Sequence, residues 1–394
     1  MSLWIALLVA ALGAEQQSAR SQFESLKKEF DSAKVVYHDA YRKAKTDEER
    51  DAVFKKQPNR QDYMPQFFQI AEAHPDDPAA IDALLWIAAE DMFWSDGEKA
   101  MKILAEKHAD GPQVAEYASQ NSRYGGPFAP YEELLRAVDK HEHERDIQAA
   151  IRLTLGLYLK MTKETYDRSQ VLVSIGHRGW SNDTDFQNLN RWTENGIDKL
   201  SAEVDAILES VIAEYGDVKL KNSFPESAAE IAKQQLFELR NLQIGQLAPN
   251  IEATDIAGTA FNLNDSRGKV VVLDFGSHRM CGICVALYPN LRGLVEQYKN
   301  QPFELIGINV GDDVGKLREL TQSNEVTWKL ISDGKGYQGP ITSRWAIDSM
   351  PTFYVIDHKG IIRDKGYHGV FEVMATLTDK ILAEMKAEQR ASQE

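Results

Sequence analysis

Hydrophobic residues in roughly the first 240 positions recur at helical spacing. Phe67, Phe68, Ile70 and Ala71 fall on one helical face. Residues 197–212 and 231–242 carry the clearest further amphipathic patterns, and Ala-, Glu- and Lys-rich stretches support helices between them. The pattern predicts a helical, repeat-like domain over residues 18–242.

Three short segments in this region look alike. Each ends a helical stretch near a histidine, and His74 and His108 are 34 residues apart, with His141 another 33 residues on. This period is typical of tetratricopeptide-like helical hairpins, so we expect hairpins stacked in a small array. A histidine at a helix C-terminus interacts favourably with the helix dipole, and three histidines on separate turns lack metal-ligand spacing. No metal site is predicted here.

From about residue 243 the pattern changes to short strands that alternate with helices. Residues 270–275 form an apolar run interrupted only at Asp274, which is typical of a central strand covered on both faces. Further strands are expected at residues 303–310, 328–331, 353–357 and 361–363. Helices are expected from Cys281 through Tyr298, over residues 314–322 and near the C-terminus. The sequence therefore predicts a multidomain chain, helical first, with an α/β domain over residues 243–390.

The first residues have the pattern of a targeting segment. An unbroken apolar run at residues 3–12 precedes a polar stretch, and Ala11 and Gly13 supply small residues for a cleavage site. The run is too short for a bilayer, which needs about 20 residues. The pattern predicts a signal peptide over residues 1–14 and export to the periplasm or the exterior. No other run in the sequence is long enough for a transmembrane helix.

Length and charge narrow the classes of function. A chain of 394 residues fits two or three domains, and 43% hydrophobic residues exclude a wholly disordered protein. The net charge is −15, whereas nucleic-acid binders normally present a basic surface. No nucleic-acid partner is therefore predicted.

The sequence contains two cysteines, Cys281 and Cys284, separated by two residues. A structural disulfide framework spreads its cysteines along the chain, and two thiols alone do not complete a tetrahedral zinc site. No metal or other cofactor is predicted. Cys281 is expected at the start of a helix, where free amides and the helix dipole stabilise its thiolate, so it is the predicted nucleophile. Cys284 lies one turn later, placed to attack a mixed disulfide.

The order of motifs carries a resemblance to a known family. A strand, the C-x-x-C pair and a helix are followed by Pro351-Thr352, which opens a strand 67 residues after Cys284, and by an Asp-x-x-Gly turn at Asp357. This order resembles the thioredoxin fold. A Gly-x-x-Ala-Pro opening at Gly245 and the Met350-Pro351-Thr352 step resemble the secreted bacterial TlpA/ResA-like thiol-disulfide oxidoreductases, over residues 242–388.

The resemblance implies further site residues and partners. Pro351 would be the cis-proline that faces the cysteine pair, and Met350 and Thr352 beside it would bind substrate. Asp274 would be the buried carboxylate that relays a proton to the second cysteine. The implied partners are protein thiols and disulfides, with an upstream thiol reductase as electron donor.

The loop before Cys281 departs from the family pattern. Asp274 precedes Cys281 by seven residues, one more than usual, and Met280 stands where the family has Trp. A β-bulge would restore the register. His278 and Arg279 are candidates for lowering the pKa of Cys281, and solvent-exposed loop charge is the alternative interpretation.

The preferred hypothesis is a thiol-disulfide oxidoreductase that reduces protein disulfides, with the reducing direction implied by the resemblance. One alternative is a non-catalytic helical-repeat adaptor that uses a thioredoxin-like module for binding. The other is a peroxiredoxin-like peroxidase. That family has Pro, and Thr or Ser, shortly before its reactive cysteine, and residues 277–280 contain no Pro.

Overall fold

The computed structural model describes residues 18–120, 128–176, 196–220, 226–332, 334–366 and 371–393. The chain divides into two compact units between Leu155 and Gly156. The predicted signal peptide lies outside the described residues. Within the described ranges, no helix combines the length and the apolar character that a membrane span requires.

The first unit is helical, as the sequence predicts. Its helices are α1 (Ala19–Lys43), α2 (Asp47–Phe54), α3 (Met64–Ala73), α4 (Pro78–Glu90), α5 (Ser95–Lys107), α6 (Pro112–Gln120), α7 (Ala129–Val138) and the first part of α8 (Arg145–Ser174). Phe67 stacks on Trp86 at 4.0 Å between ring centroids and lies at the centre of the α3–α4 packing. Side-chain caps define helix starts, for example Thr46 and Glu49 in a capping box at α2.

The three aligned histidines lie at or just beyond helix ends. His74 and His108 are the C-terminal cap residues of α3 and α5, and His141 follows α7. Pro78 and Pro112 then begin α4 and α6, since proline at the first helical position loses no hydrogen bond. Three helices of this unit therefore end at or just before these histidines. A tetratricopeptide-like array remains a prediction.

The second unit begins with helices that precede the sheet. They are the rest of α8, α9 (Ile197–Glu214) and α10 (Ala228–Asn241). At Gly156, α8 approaches α9 so closely that a Cβ would lie 2.8 Å from Leu208 Cδ2. The change of secondary structure near residue 242 is where the sequence places it, but the compact unit containing the sheet starts earlier, at Gly156.

A buried charged cluster links these helices to the sheet. Lys160 lies 2.7 Å from Glu238 and 2.8 Å from Glu164, and Glu238 also pairs with Lys365 on the last strand. Burial alone would lower the pKa of Lys160, but the two carboxylates outweigh burial and raise it. Opposite charges that lose water together are stable only when paired, so the cluster fixes α8 and α10 against the sheet.

A five-stranded mixed sheet forms the centre of the second unit. Its strands are β3 (Val270–Gly276), β4 (Phe303–Asn309), β5 (Lys329–Ser332), β6 (Thr352–Ile356) and β7 (Ile362–Gly366), after a small hairpin of β1 (Glu252–Thr254) and β2 (Ala260–Asn262). The spatial order is β5-β4-β3-β6-β7, with β3, β4 and β5 parallel and β6 and β7 antiparallel to their neighbours. The predicted α/β class is confirmed.

β3 is the central strand because both of its faces are apolar. Val270 and Val272 join one buried cluster, whereas Val271, Leu273 and Phe275 join the cluster on the opposite face. Successive side chains of a strand point to opposite faces, so the apolar residues of β3 contribute to two cores. Asp274 shares its face with Val270 and Val272.

The helices of this unit are α11 (Gly282–Ala286), α12 (Tyr288–Tyr298), α13 (Val314–Gln322), α14 (Pro340–Arg344) and α15 (Phe371–Ala391). The sequence predicts one helix from Cys281 through Tyr298, which is wrong: α11 ends at Ala286 and α12 begins at Tyr288, with Leu287 between them. Pro289 explains the break, since it has no N–H and its ring clashes with the carbonyl of Val285.

Candidate redox site

The cysteine pair lies just beyond the end of the central strand. β3 ends at Gly276, residues 277–280 form a loop, and Cys281 is the N-cap residue of α11. Cys281 and Cys284 form a disulfide with an S–S distance of 2.04 Å. Cys281 Sγ accepts a hydrogen bond from the Cys284 N–H at 3.1 Å. The same amide would stabilise a thiolate on Cys281.

The two cysteines differ in their access to solvent. Cys281 is 8% exposed and Cys284 is 4% exposed. Met280 precedes Cys281 and Ile283 precedes Cys284, and both are about half exposed, at 49% and 50%. The more exposed cysteine therefore lies next in sequence to exposed apolar residues of the kind that contact a bound polypeptide.

The Met350–Pro351 step lies at the same end of the sheet. Its peptide bond is cis, as the resemblance implies. Thr352 pairs with Phe275 across β6 and β3, so the step is adjacent to the strand end that leads to Cys281. The Thr352 side chain is buried, and its hydroxyl donates to the Ser349 carbonyl at 2.9 Å, while Met350 is half-buried.

Asp274 is close to Cys284. A Cβ at Gly276 would lie 3.4 Å from Cys284 Sγ and 3.5 Å from Asp274 Oδ1, so both side chains border one point. Asp274 is 7% exposed, and burial raises the pKa of this carboxyl from its ordinary value to about 7. A carboxyl group with that pKa exchanges protons near neutral pH.

Asp274 and Cys284, which lies on α11, line a cavity of about 20 Å³. Its other walls include Tyr288, Asn309 and the indole of Trp328. The Trp328 Nε1 atom is buried without a protein partner. A space of this size with several polar walls has room for one water molecule. Burial and the nearby Asp274 carboxylate raise the pKa of Tyr288, so its phenol stays neutral there.

The extra residue before Cys281 lies in the loop and leaves the sheet regular. The β3–β4 and β3–β6 registers run without a bulge from Val271 to Phe275, so a β-bulge in β3 does not accommodate the extra residue. Residues 277–279 are instead bonded to Asp312, which follows β4. Parallel strands end at the same edge of a sheet, so a polar residue three positions after β4 is expected near the end of β3. This was the signal for Asp312 in the sequence, and it was missed.

The cationic loop residues make contacts of their own. His278 stacks on Tyr288 at 6.1 Å between ring centroids, and Arg279 donates to the Gly311 carbonyl at 3.5 Å. Neither contact is with Cys281. Among the residues that the structure describes, no group of three or more His, Cys, Asp or Glu side chains has the arrangement of a metal site.

Comparison with known proteins agrees with this geometry. Residues 244–365 match the AhpC/TSA family. The thiol-disulfide oxidoreductase ResA of Geobacillus kaustophilus is 27% identical over 158 residues, covering 40% of this chain and 82% of the relative. The thioredoxin-like protein YneN of Bacillus subtilis is 27% identical over 126 residues, covering 31% of this chain and 71% of the relative.

A similar solved structure also covers only part of the chain. The thioredoxin domain of a thiol-disulfide oxidoreductase from Bacteroides vulgatus is 22% identical, covers 36% of this chain and 99% of its own, and has a TM-score of 0.33. The family match at residues 244–365 includes β3 and α11. Residues 244–365 are therefore similar to thioredoxin-like domains of the AhpC/TSA family, and ResA-like thiol-disulfide oxidoreductases are among the relatives of this part of the chain.

Proposed function

We propose that this protein reduces disulfide bonds in other proteins through the Cys281–Cys284 dithiol. The observation that carries the proposal is the position of the pair: Cys281 caps α11 at the end of the central strand, close in sequence to the exposed apolar residues Met280 and Ile283. A pair at this position combines an accessible nucleophile with a second sulfur one turn behind it.

In the first step, the Cys281 thiolate attacks one sulfur of the substrate disulfide. The substrate S–S bond breaks, a mixed disulfide forms, and the released substrate thiolate takes a proton from solvent. The Cys284 N–H, 3.1 Å from Cys281 Sγ, stabilises the attacking thiolate by a charge-assisted hydrogen bond.

In the second step, the Cys284 thiolate attacks Cys281 Sγ and releases the second substrate thiolate, which is then protonated. The protein ends as the disulfide, and two electrons and two protons have passed to the substrate. Asp274 accepts the Cys284 proton before the attack, directly or through one water molecule in the shared cavity. Its pKa of about 7 and its place beside Cys284 support this role.

Met350, Pro351 and Thr352 form the proposed docking site for the substrate chain. Their position beside Phe275, at the end of the sheet that leads to Cys281, supports this role. Because the Thr352 hydroxyl is already bonded to Ser349, main-chain groups of this segment are the proposed contacts.

The disulfide form must be reduced again before another turnover. A dithiol reductase is the proposed donor: its two thiols become a disulfide while Cys281 and Cys284 regain their protons and electrons. We further propose that the protein works outside the cytoplasm, which rests on the apolar run at residues 3–12.

An insulin-reduction assay with dithiothreitol as the electron source tests the proposal. The wild-type protein should accelerate the precipitation of the reduced insulin chains, and Cys281→Ser should abolish the acceleration. Cys284→Ser should be slow and accumulate a mixed disulfide. An exchange-competent cysteine pair that does not accelerate insulin reduction would favour the adaptor alternative, and peroxide consumption that depends on Cys281 would favour the peroxidase.

A further inference from the structure

Asp312 bonds directly to the loop that delivers Cys281. Its Oδ2 atom accepts from the His278 N–H at 2.6 Å and its Oδ1 atom from the Arg279 N–H at 2.9 Å. The Ser277 hydroxyl lies 3.1 Å from both oxygens. The residue is 4% exposed, so these bonds form away from bulk water, where charged acceptors bind amides strongly.

Neighbouring groups hold this carboxylate in place. The Asn309 side chain donates to Asp312 Oδ2 at 2.6 Å, and its own oxygen accepts the Asp312 N–H at 2.9 Å. The Ser277 oxygen in turn accepts the Met280 N–H at 3.1 Å. Burial opposes ionisation, but the bonds from Asn309, His278 and Arg279 hold the pKa of Asp312 below its ordinary value. A charged, oriented anchor therefore fixes the loop up to the residue before Cys281.

We propose that Asp312 is a positioning residue that sets the equilibrium between the disulfide and dithiol forms of Cys281 and Cys284. This inference rests on the proposed function, because it concerns the same cysteine pair. Asp312 acts by fixing where Cys281 enters α11, which holds Cys281 Sγ within reach of Cys284. The longer loop makes the anchor necessary, since one extra residue between β3 and Cys281 adds conformations that the sheet does not restrict.

The direction of the effect follows from two terms. In exchange with glutathione, the protein S–S bond breaks, two glutathione thiols become glutathione disulfide, and two electrons and two protons pass to the protein. A freed loop lowers the effective concentration of one protein thiol near the other, which destabilises the protein disulfide. Removing the negative charge favours a thiolate on Cys281, which stabilises the reduced form. Both terms shift the equilibrium toward the dithiol.

The test compares Asp312→Asn with Asp313→Asn in glutathione buffers, with thiols counted by alkylation and mass spectrometry. Asp313 loses the same charge one position away, but it accepts from the Gly315 and Lys316 N–H groups and caps α13. Asp312→Asn replaces one acceptor oxygen with an amide NH₂ group, which is a donor and would face the donors that now bond to Asp312. We expect about a tenfold shift toward the dithiol for Asp312→Asn, equivalent to about 30 mV, and less than about twofold for Asp313→Asn.

Melting temperatures of both redox forms separate positioning from general stability. A purely structural role would destabilise the disulfide and dithiol forms of Asp312→Asn equally and leave the glutathione equilibrium unchanged, which would overturn the inference. If Asp312→Asn does not fold, Ser277→Ala tests the inference instead. We expect it to shift the glutathione equilibrium about threefold toward the dithiol. An unchanged equilibrium in folded Ser277→Ala would also overturn it. A wild-type pair that does not exchange with glutathione would instead contradict the proposed function.

Discussion

Asp274 and Cys284 approach the same point next to Gly276, where a Cβ would lie 3.5 Å from the carboxylate and 3.4 Å from the sulfur. The two residues come from different elements, one from β3 and the other from α11. Because Asp274 is buried and has a pKa of about 7, the arrangement places a proton acceptor behind the less exposed cysteine. Removal of this carboxyl should therefore slow catalysis but raise the free energy of unfolding.

Asp274→Asn should slow the release of substrate from the mixed disulfide and remove an inflection near pH 7 from the activity profile. Its stability should rise. The carboxyl ionises near pH 4 when unfolded and near pH 7 when folded, so wild-type stability falls between these values as pH rises. The asparagine side chain does not ionise, so Asp274→Asn does not lose stability in this way. Its gain in free energy of unfolding over the wild type should be absent at pH 3 and reach about 2–4 kcal/mol above pH 7.

Asp364→Asn is the matched control for this experiment. Asp364 is another buried carboxyl of the same sheet, and burial raises its pKa despite Arg168. It lies on β7, away from the central strand that leads to the cysteines. Its variant should keep the inflection near pH 7 in the activity profile. Urea unfolding and insulin reduction across pH 3–9 measure both effects, and an unchanged profile in Asp274→Asn would remove the proposed proton transfer.

Cys281 should be the more reactive thiol of the reduced protein. It is more exposed than Cys284, and the Cys284 N–H stabilises its thiolate. Brief iodoacetamide treatment at pH 7 followed by peptide mass spectrometry should find Cys281 labelled first. In Cys284→Ser a mixed disulfide with substrate should persist, whereas Cys281→Ser should form none. Preferential labelling of Cys284 would reverse the assigned roles.

Gly276→Ala should fold but transfer protons poorly. Its new methyl group makes ordinary van der Waals contacts at 3.4 and 3.5 Å, so the free energy of unfolding should change by about 1 kcal/mol or less. The methyl group occupies space between Asp274 and Cys284, so resolution of the mixed disulfide should slow by about tenfold, on the scale of a misdirected general base.

Gly307→Ala tests the opposite wall of the same cavity. A Cβ at Gly307 would lie 2.5 Å from Leu330 Cδ2 and 2.9 Å from Trp328 Nε1, which forces side chains to move. Overpacking of this kind costs about 1–3 kcal/mol. Chemical denaturation of both variants measures the contrast. Equal stability losses would contradict the cavity geometry.

Glu238→Gln should destabilise the second unit strongly. Glu238 is 3% exposed and pairs with Lys160 and Lys365, so its replacement leaves buried ammonium groups short of a counter-charge. Breaking a buried pair in this way costs about 3–5 kcal/mol. Arg240→Gln on the same helix is the control, because its pairs with Asp205 and Glu209 are exposed and should contribute about 1 kcal/mol or less. Similar losses in urea denaturation would show that the cluster is not buried.

The repeating patterns along the chain identified most of the elements. The stretch Val270 to Phe275 predicts a central strand because every position except Asp274 is apolar, and β3 indeed has cores on both faces. The strand at residues 353–357 and the helix over 314–322 follow from equally local patterns. Pro289 was the visible sign that the helix after Cys284 is interrupted, and the apolar period at Leu287 and Leu291 obscured it.

By itself, the sequence determined the parts that depend on neighbouring residues: the two secondary-structure regions, the Cys281–Cys284 pair and the Met350–Pro351 step before a strand. Only the tertiary structure decided which distant groups meet. Lys365 reaches Glu238 across 127 positions, and Asp312 reaches the loop before Cys281 across more than 30. Such contacts depend on strand register and on how helices dock, and no local period of hydrophobic residues encodes either. The anchor of the redox loop and the cavity that joins Asp274 to Cys284 are therefore products of the fold.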